Sequence, residues 1–422
     1  MKDSEKTIYV YQSWDTEKPM LIGKLYSSAN KGKELFCFEY DKIWLKDSPY
    51  GFSLDPDLYL YEGRQFVPNE KPLFGIFSDS CPDRWGRLLM KRREAITARK
   101  EDRKPKALTE SDYLLGVYDE SRMGGLRFSE CENGPFLSDD KQLATPPWTS
   151  LCELESASLN FEKNEKGEEK WLKMLLAPGS SLGGARPKAT VQAPDKTLWI
   201  AKFPSKHDEW DSGAWEMVTH DLAAMCGLDV PEAKIETFSK TGSTFLVKRF
   251  DRNNDKRIHF SSAMTLLRKT DGASGTDGLG YSDIADFIKA NGSSPKADLA
   301  ELWKRIVFNM AVSNTDDHLR NHAFILTKNG WKLSPLFDVN PNIYGDQLSL
   351  NVSDSDSSID FELAECCAEY YGIDRLSAKQ EIENIVTIVN DNWKKKAADY
   401  GLGRSAVTHM EPAFDMKMKN AY

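Results

Sequence analysis

The 422-residue sequence lacks the features that would assign it to a membrane, a secretory pathway or a disulfide framework. No window of about 18 apolar residues occurs, which is the length that a membrane-spanning helix requires. The N-terminus, MKDSEKTIYVYQ, is charged and has no apolar core of a secretory signal. The seven cysteines are odd in number, scattered and never spaced as CxxC. We therefore expect reduced thiols, no zinc site and a cytoplasmic protein.

An excess of positive charge is also missing, because the formal net charge is −9. That value argues against a surface that binds nucleic acid over its whole extent, although it leaves room for a local basic patch. The most basic stretch is KRREAITARKEDRKPK, residues 91–106. It is either a solvated helix face or a group of cations that contacts DNA phosphates.

The N-terminal part of the sequence predicts structure more than chemistry. The runs TIYVYQSW, MLIGKLYS and ELFCFEYD, all between residues 7 and 72, alternate like strands of a small antiparallel sheet. The segment DSCPDRWGRLL, residues 79–89, predicts a helix capped by Asp79 or Ser80, with Pro82 in its first turn. We expect a packing role for this helix, with Trp85, Leu88 and Leu89 on its apolar face. Far along the chain, Cys366 and Cys367 are expected in the core.

The central stretch of the sequence is SNTDDHLRNHAFILTKNGWKLSPLFDVNP, residues 313–341. A predicted apolar helix over residues 302–312 leads into a polar loop that ends at Asn321. A short strand, an Asn-Gly hairpin turn at residues 329 and 330 and a returning strand follow. The hairpin is expected to bring Asp338 back beside the loop, so that Asp316, Asn321 and Asp338 converge. Oxygen-bearing side chains in such a group suit Mg²⁺.

Residues suited to holding phosphate lie upstream. GSSLGGARPKATV, residues 179–191, places two glycines in a serine-rich turn, whose backbone N–H groups can form an anion-binding nest. Alone this signal is weak, since the turn is neither a Walker A motif nor GxGxxG and any β-hairpin could contain it. Lys202 ends the strand TLWIAKFP, and Glu216 is expected in the first turn of the helix WEMVTHDLAAM. An ion pair between Lys202 and Glu216 would hold the lysine in place.

The order of these features resembles the catalytic core of protein kinases. There an Asp accepts the proton of the substrate hydroxyl, an Asn five residues on binds metal, and a later Asp binds metal. Asp316, Asn321 and Asp338 follow that order, although the His-Arg that precedes the kinase Asp is absent. The neighbouring Asp317 could replace Asp316 as the base, but the spacing to Asn321 favours Asp316. We expect His318 to make a structural hydrogen bond.

By the same order, the strand STFLVKRFDR, residues 243–252, is the hinge that would contact adenine. Its backbone around residues 247–250, including Lys248, would hydrogen-bond the base. Phe250 either stacks on the base or fills the core, and the sequence does not decide between the two.

The sequence also closely resembles the HipA family of bacterial toxin kinases. The resemblance rests on NTDDHLRNHAF followed by LSPLFDVNP, and on DSCPDRWGRLL, YLLGVYDESRMGGLRF, GLDVPEA and LVKRFDR. It implies an α+β, bilobal protein-kinase-like fold with a β-rich N-terminal subdomain and an all-α C-terminal lobe. The implied regions are residues 1–130, then 131–255 with glycine loop, strand lysine and hinge, then 256–422 with the catalytic and metal-binding loops.

The family resemblance further implies a serine/threonine protein kinase that uses ATP and Mg²⁺. The family's glycine loop ends in a lysine and is matched by Ser181, Gly183, Gly184 and Lys188. Ser181 corresponds to the serine that the family autophosphorylates, and its phosphate would switch the enzyme off. The implied partners are a small helix-turn-helix antitoxin like HipB, operator DNA beside it, and a protein substrate such as an aminoacyl-tRNA synthetase.

Two other functions fit the same sequence. One is a nucleotide-binding corepressor scaffold with little kinase activity, against which the intact set of Asp316, Asn321, Asp338 and Lys202 argues. The other is a kinase of a small molecule or a lipid, which the sequence leaves open because substrate choice depends on surface shape.

Overall fold

The computed structural model describes residues 5–14, 18–30, 33–47, 53–68, 71–136, 145–163, 172, 175, 184, 186–254 and 256–415. The chain divides into two compact units. The first comprises residues 1–205 and 249–261, and the second comprises residues 206–248 and 262–422. The chain thus passes from the first unit to the second at residue 206, returns to the first for residues 249–261 and then stays in the second. The predicted regions bounded at residues 130 and 255 follow chain order instead, and they stay a prediction.

The first unit contains a five-stranded antiparallel sheet in the order β4-β3-β2-β1-β5. Its strands are β1 Lys6–Gln12, β2 Met20–Asn30, β3 Lys33–Tyr40, β4 Gln65–Phe66 and β5 Leu126–Ser129. The three long strands coincide with the alternating runs of the sequence, because one face of each packs on the core. The fifth strand pairs with β1 across more than a hundred residues of chain, a partnership that local alternation could not indicate.

The helices of the first unit are α1 Lys42–Asp47, α2 Gly75–Ser78, α3 Arg84–Lys100, α4 Glu110–Leu115 and α5 Leu151–Glu162. The predicted cap of α3 was wrong. Asp83 caps it by accepting a hydrogen bond from the Gly86 N–H at 2.8 Å, and Pro82 lies just before the cap. Trp85 and Leu89 are buried as expected, but Leu88 is 49% exposed and Met90 is buried in its place.

A buried ion network in the first unit joins two of the segments that resemble HipA. Arg249 donates to Asp251 at 2.8 and 2.7 Å and to the Ser121 carbonyl at 2.7 Å, and the Gly124 N–H donates to Asp251 at 2.7 Å. Burial favours the neutral form of Asp251, but the guanidinium groups of Arg249 and Arg252 outweigh it and hold its pKa below the ordinary value. The segment RFDR, residues 249–252, therefore stabilises the glycine-containing turn of YDESRMGG, residues 118–125.

The remaining strands of the first unit form short hairpins. β6 Lys188–Gln192 pairs with β7 Leu198–Lys202, and β10 Arg252–Asn253 pairs with β11 Lys256–Arg257. The strand β12, Phe260–Ser262, follows at the end of this part of the chain.

The second unit is mostly helical. Its helices are α6 Ser212–Met225, α7 Ala263–Leu266, α8 Tyr281–Asn291, α9 Pro295–Ala311, α10 Phe361–Cys367, α11 Arg375–Asp399 and α12 Arg404–Phe414. Two hairpins, β8 Ala233–Glu236 with β9 Thr244–Lys248 and β13 Ala323–Thr327 with β14 Gly330–Leu333, accompany them. An aromatic cluster ties α6, α11 and α12 together: the Trp393 and Phe414 rings stack at 4.6 Å, and Trp215 lies 5.9 Å from Phe414.

Several helix and turn predictions for the second unit need correction. α9 begins at Pro295 and α6 at Ser212, both earlier than the apolar pattern indicated, so Glu216 falls in the second turn of α6. The hairpin turn consists of residues 328 and 329, because Thr327 pairs with Gly330. Gly330 is needed instead for close packing, since a Cβ on it would lie 2.6 Å from the Asn291 carbonyl oxygen.

The cysteines are all free thiols in the described chain. Cys366 is exposed and Cys367 half-buried, so their predicted core position was wrong; α10 buries Phe361 and Ala364 instead. None of the helices in the described residues is long and apolar enough to cross a membrane.

Candidate active site

The polar loop after α9 is built by hydrogen bonds within its own backbone. The Asn314 N–H donates to the Asn309 carbonyl at 2.9 Å, the His318 N–H to Asp316 at 3.0 Å, and the Asn321 N–H to His318 at 2.8 Å. The two neighbouring aspartates face opposite environments. Asp316 is exposed, whereas Asp317 is 1% exposed. Only Asp316 can therefore meet a substrate from solvent, which supports its choice as the candidate base over Asp317.

Asp317 accepts three hydrogen bonds in the core beneath the loop. The donors are Tyr281 Oη at 2.7 Å, Asn309 Nδ2 at 2.7 Å and His322 Nε2 at 2.9 Å. Burial alone would raise the pKa of Asp317, but His322 and the hydrogen bonds hold it below its ordinary value. Sequence reasoning missed this network because its members come from α8, α9, the middle of the loop and the residue after it, and no spacing rule connects them.

Beside this loop, His322 is the histidine whose ring makes a buried hydrogen bond, whereas the hydrogen bond expected of His318 is not seen at its Nδ1 among the described residues. No described residue bonds Nδ1 of His318, although its backbone takes part in the loop.

The side-chain amide of Asn321 is held in one orientation. Its Nδ2 donates to the Asp316 carbonyl at 2.9 Å, which fixes which way the amide points. Its Oδ1 is buried, and no described residue donates a hydrogen bond to it. A buried acceptor without a donor is costly, so this oxygen is suited to a cation.

Asp338 follows the β13–β14 hairpin in a left-handed backbone conformation, with φ of 61°. Such a conformation is strained for a residue other than glycine, and strain of this kind concentrates at functional sites. The segment after it lies on the polar loop, since the Asn340 N–H donates to Asn314 Oδ1 at 3.3 Å and the Asn342 N–H to the Ser313 carbonyl at 3.1 Å. The hairpin thus returns the chain to the loop as the sequence predicted; the metal-binding roles of Asn321 and Asp338 stay a prediction.

The described residues hold no group of three or more His, Cys, Asp and Glu side chains that could hold a metal by itself. One amide oxygen and one carboxylate are nevertheless a suitable partial set for Mg²⁺, which takes few protein ligands and completes its shell with water and phosphate. The residues present fit that ion better than zinc, which favours nitrogen and sulfur donors.

The two lysines predicted to bind phosphate lie directly opposite each other in the first unit. Lys188 of β6 pairs with Lys202 of β7 in the antiparallel register, which places both side chains on one face of the hairpin. Both are buried, at 5% and 8% exposure. Lys188 Nζ lies 2.9 Å from Asp83 Oδ2 and donates to the Gly184 carbonyl at 3.2 Å.

Some predicted nucleotide contacts cannot be placed. Ser181 and Gly183 lie outside the described residues. Gly184 is exposed, and no described atom lies within 4 Å of a Cβ placed on it. Glu216 is buried in α6 of the second unit, and its predicted ion pair with Lys202 stays a prediction.

Two backbone N–H groups of the predicted hinge strand already donate hydrogen bonds within the protein. The Lys248 N–H donates to the Glu232 carbonyl at 2.8 Å, and the Arg249 N–H donates to the Leu198 carbonyl at 2.9 Å. A base would therefore have to use other groups of this segment. Lys248 Nζ lies 3.2 Å from Glu232 Oε2, and the half-buried Phe250 ring lies 6.1 Å from the Phe260 ring. Contact of Lys248 and Phe250 with a nucleotide stays a prediction.

The same architecture occurs in a solved structure. Over 98% of each chain, with a TM-score of 0.68 and 18% identity, the fold matches HipA from Shewanella oneidensis MR-1, determined as a toxin–antitoxin complex of HipA, HipB and operator DNA. This match confirms the predicted mixed α+β fold class.

Sequence comparison then gives the family. A family model described as the HipA-like C-terminal domain matches residues 180–393. The chain belongs to the HipA family. It is 32% identical over 149 residues to Y4mE of Sinorhizobium fredii, which carries the name of a candidate kinase, covering 33% of each chain. It is 26% identical over 210 residues to the serine/threonine-protein kinase toxin HipA of Shewanella oneidensis, covering 42% of this chain and 47% of that one. These matches span about half the length of the curated relatives or less.

Proposed function

We propose that this chain is an ATP-dependent serine/threonine protein kinase. The observation that supports it most is the pairing of an exposed Asp316 with a buried, fixed Asn321 whose Oδ1 lacks a described donor. A general base must reach its substrate, and a metal ligand must be oriented before the metal arrives. One loop provides both, on a buried support centred on Asp317.

Each residue has a proposed role in γ-phosphoryl transfer. Asp316 orients the substrate hydroxyl and accepts its proton. Asn321 and Asp338 would hold Mg²⁺, which when bound supplies positive charge to the phosphates. Lys202 and Lys188 neutralise phosphate charge, with Glu216 as the proposed brace of Lys202. Fixed charges that need no rearrangement are the main source of rate in this chemistry.

We further propose that this kinase is the toxin of a toxin–antitoxin pair. Support comes from family membership and from the fold of a HipA determined with HipB and operator DNA. The partner would be a small helix-turn-helix antitoxin, and the substrate a protein such as an aminoacyl-tRNA synthetase. Phosphate on Ser181 would occupy the glycine loop in place of the ATP phosphates and so act as an off switch.

Phosphate incorporation from labelled MgATP into the purified chain, followed by mapping of the modified residue, tests the proposal. We expect phosphate on Ser181 and a loss of incorporation of about 10²–10⁴-fold in Asp316→Asn, the range for removal of a positioned base. Asp391→Asn is the matched control, because Asp391 is an exposed residue of α11 in the same unit. Mass spectrometry of the starting material is needed first, since Ser181 already phosphorylated would silence the preparation.

Absence of incorporation into an unphosphorylated chain that still binds MgATP would favour the corepressor scaffold. The basic stretch is the natural place to test DNA binding by the antitoxin complex. Part of it is already neutralised, since Arg103 Nη1 pairs with Glu94 at 2.5 Å and Lys106 with Asp112 at 2.9 Å. The triple change of Lys91, Arg92 and Arg93 to Glu reverses the charge of three other cations in this stretch, and unchanged operator affinity would exclude contact by residues 91–93.

A further inference from the structure

The N-terminus of α3 supplies a buried carboxylate to the strand that bears Lys188. The Gly86 N–H donates to Asp83 Oδ1 at 2.8 Å, so the carboxyl group is fixed at the start of the helix. Its other oxygen lies 2.9 Å from Lys188 Nζ, and the two side chains are 2% and 4% exposed. An ion pair this deeply buried has a definite geometry, because neither side chain can move into solvent.

Lys188 needs a counter-charge because of its neighbour across the hairpin. It lies directly opposite Lys202, where Cβ atoms are about 4.5–5.5 Å apart and like charges destabilise a sheet. Two buried ammonium groups on one face repel each other, and an anion beside one of them offsets that repulsion. Asp83 is the anion that the structure shows for Lys188.

The ion pair leaves room for a ligand. An ammonium group has three N–H donors. Asp83 and the Gly184 carbonyl accept two of them, and within the described part of the chain no third acceptor is seen. Lys188 is thus held at two points, with one donor left for an oxygen of an anion.

From this arrangement we infer that Asp83 is a positioning residue for nucleotide phosphate binding. It holds the Lys188 ammonium on the face shared with Lys202, so that both cations are in place before the phosphates arrive. The inference rests on the proposed function, because it takes ATP as the ligand of the two lysines. Asp83 acts through Lys188 and does not touch the nucleotide. The DSCPDRWG helix, for which the sequence indicated only packing, thereby sets one of the phosphate contacts.

Asp83→Asn tests this role, because asparagine caps a helix as well as aspartate does but carries no charge. In calorimetric titration of the full chain with MgATP, we expect the Kd to rise about threefold to tenfold, the cost of ordering one long side chain on binding. The control is Asp374→Asn at the N-cap of α11, where the side chain accepts from the Ser377 N–H at 3.0 Å. This variant should bind MgATP as the parent chain does.

A double-mutant cycle connects the effect to Lys188. In the Lys188→Met background, Asp83→Asn should change the Kd by less than about twofold, since the group through which it acts is gone. Asp83→Ser, which also caps the helix without charge, replaces Asp83→Asn should that variant not fold.

The outcomes separate the inference from the proposed function. A Kd that stays the same or falls in Asp83→Asn, while Lys188→Met raises it, overturns the positioning role and leaves the phosphate role of Lys188 standing. A Kd unchanged in Lys188→Met overturns the phosphate role and the inference with it. An equal rise caused by Asp83→Asn in both backgrounds also overturns the inference, because the effect then bypasses Lys188.

Discussion

Replacement of Asp317 by alanine should destabilise the protein far more than the same change at its neighbour Asp316. Asp317 is buried and accepts from three buried donors, on Tyr281, Asn309 and His322. Removal of the carboxylate leaves all three without their acceptor. Each buried unsatisfied group costs about 1–3 kcal/mol, although relaxation makes the sum smaller than three separate costs. Loss of one partner from a buried charged network typically costs about 3–5 kcal/mol.

We therefore expect the free energy of unfolding to fall by about 3–5 kcal/mol in Asp317→Ala, which is a large part of the roughly 5–15 kcal/mol that stabilises a domain. At about 2–4 °C per kcal/mol, the melting temperature should fall by about 6–20 °C. Urea unfolding followed by tryptophan fluorescence measures the change, since Trp303 and Trp331 lie buried in the second unit. The m-value should stay constant if the change acts on the native state.

Asp316→Ala is the internal comparison, because it removes the same group one residue away on the exposed side. We expect its stability to change by no more than about 0.5 kcal/mol, while phosphate incorporation is lost. The two aspartates should thus separate stability from activity. A loss below about 1 kcal/mol in Asp317→Ala, or an equal loss in both variants, would refute the argument that the buried network supports the loop.

Three further predictions follow from individual contacts. Asn321→Ala should leave the free energy of unfolding within about 1 kcal/mol of the parent, since Oδ1 has no described donor. The same change should raise the Mg²⁺ concentration that gives half-maximal phosphate incorporation. An unchanged magnesium titration would exclude Asn321 as a ligand. Burial raises the pKa of Asp55 to about 6 from its ordinary 3.8, so the native state binds that proton more tightly. The stability that this raised pKa contributes is fully present below pH 3.8 and is lost as the pH rises through about 6, which lowers the free energy of unfolding by about 3 kcal/mol. Unfolding free energies measured between pH 4 and 7 should show that fall in the parent chain and a flatter profile in Asp55→Asn. Gly330→Ala should lower the free energy of unfolding by at least about 1 kcal/mol, because φ of residue 330 is 127° and the new Cβ would lie 2.6 Å from the Asn291 carbonyl oxygen. An unchanged free energy of unfolding in urea would contradict that contact.

Local rules in the sequence were sufficient for much of the fold. Alternation predicted β1, β2 and β3, and the order of loop and hairpin predicted where the chain at Asp338 returns. These features depend on neighbours within a few residues, so a linear pattern contains them. The boundaries were less accurate because the residue that caps a helix is chosen by geometry. Asp83 caps α3 although Asp79 and Ser80 are equally able to do so.

Other features required the tertiary structure. The sequence by itself determined the candidate residues, since Asp316, Asn321, Asp338 and the two lysines stand in the order that protein kinases use. It could not determine which of two adjacent aspartates faces solvent, because a one-residue difference in a loop changes side-chain direction and only packing under the loop fixes it. It could not show that Lys188 and Lys202 oppose each other, or that Asp83 pairs with Lys188 from more than a hundred residues away. Strand register and long-range ion pairs depend on how separate segments pack, and no local pattern records that.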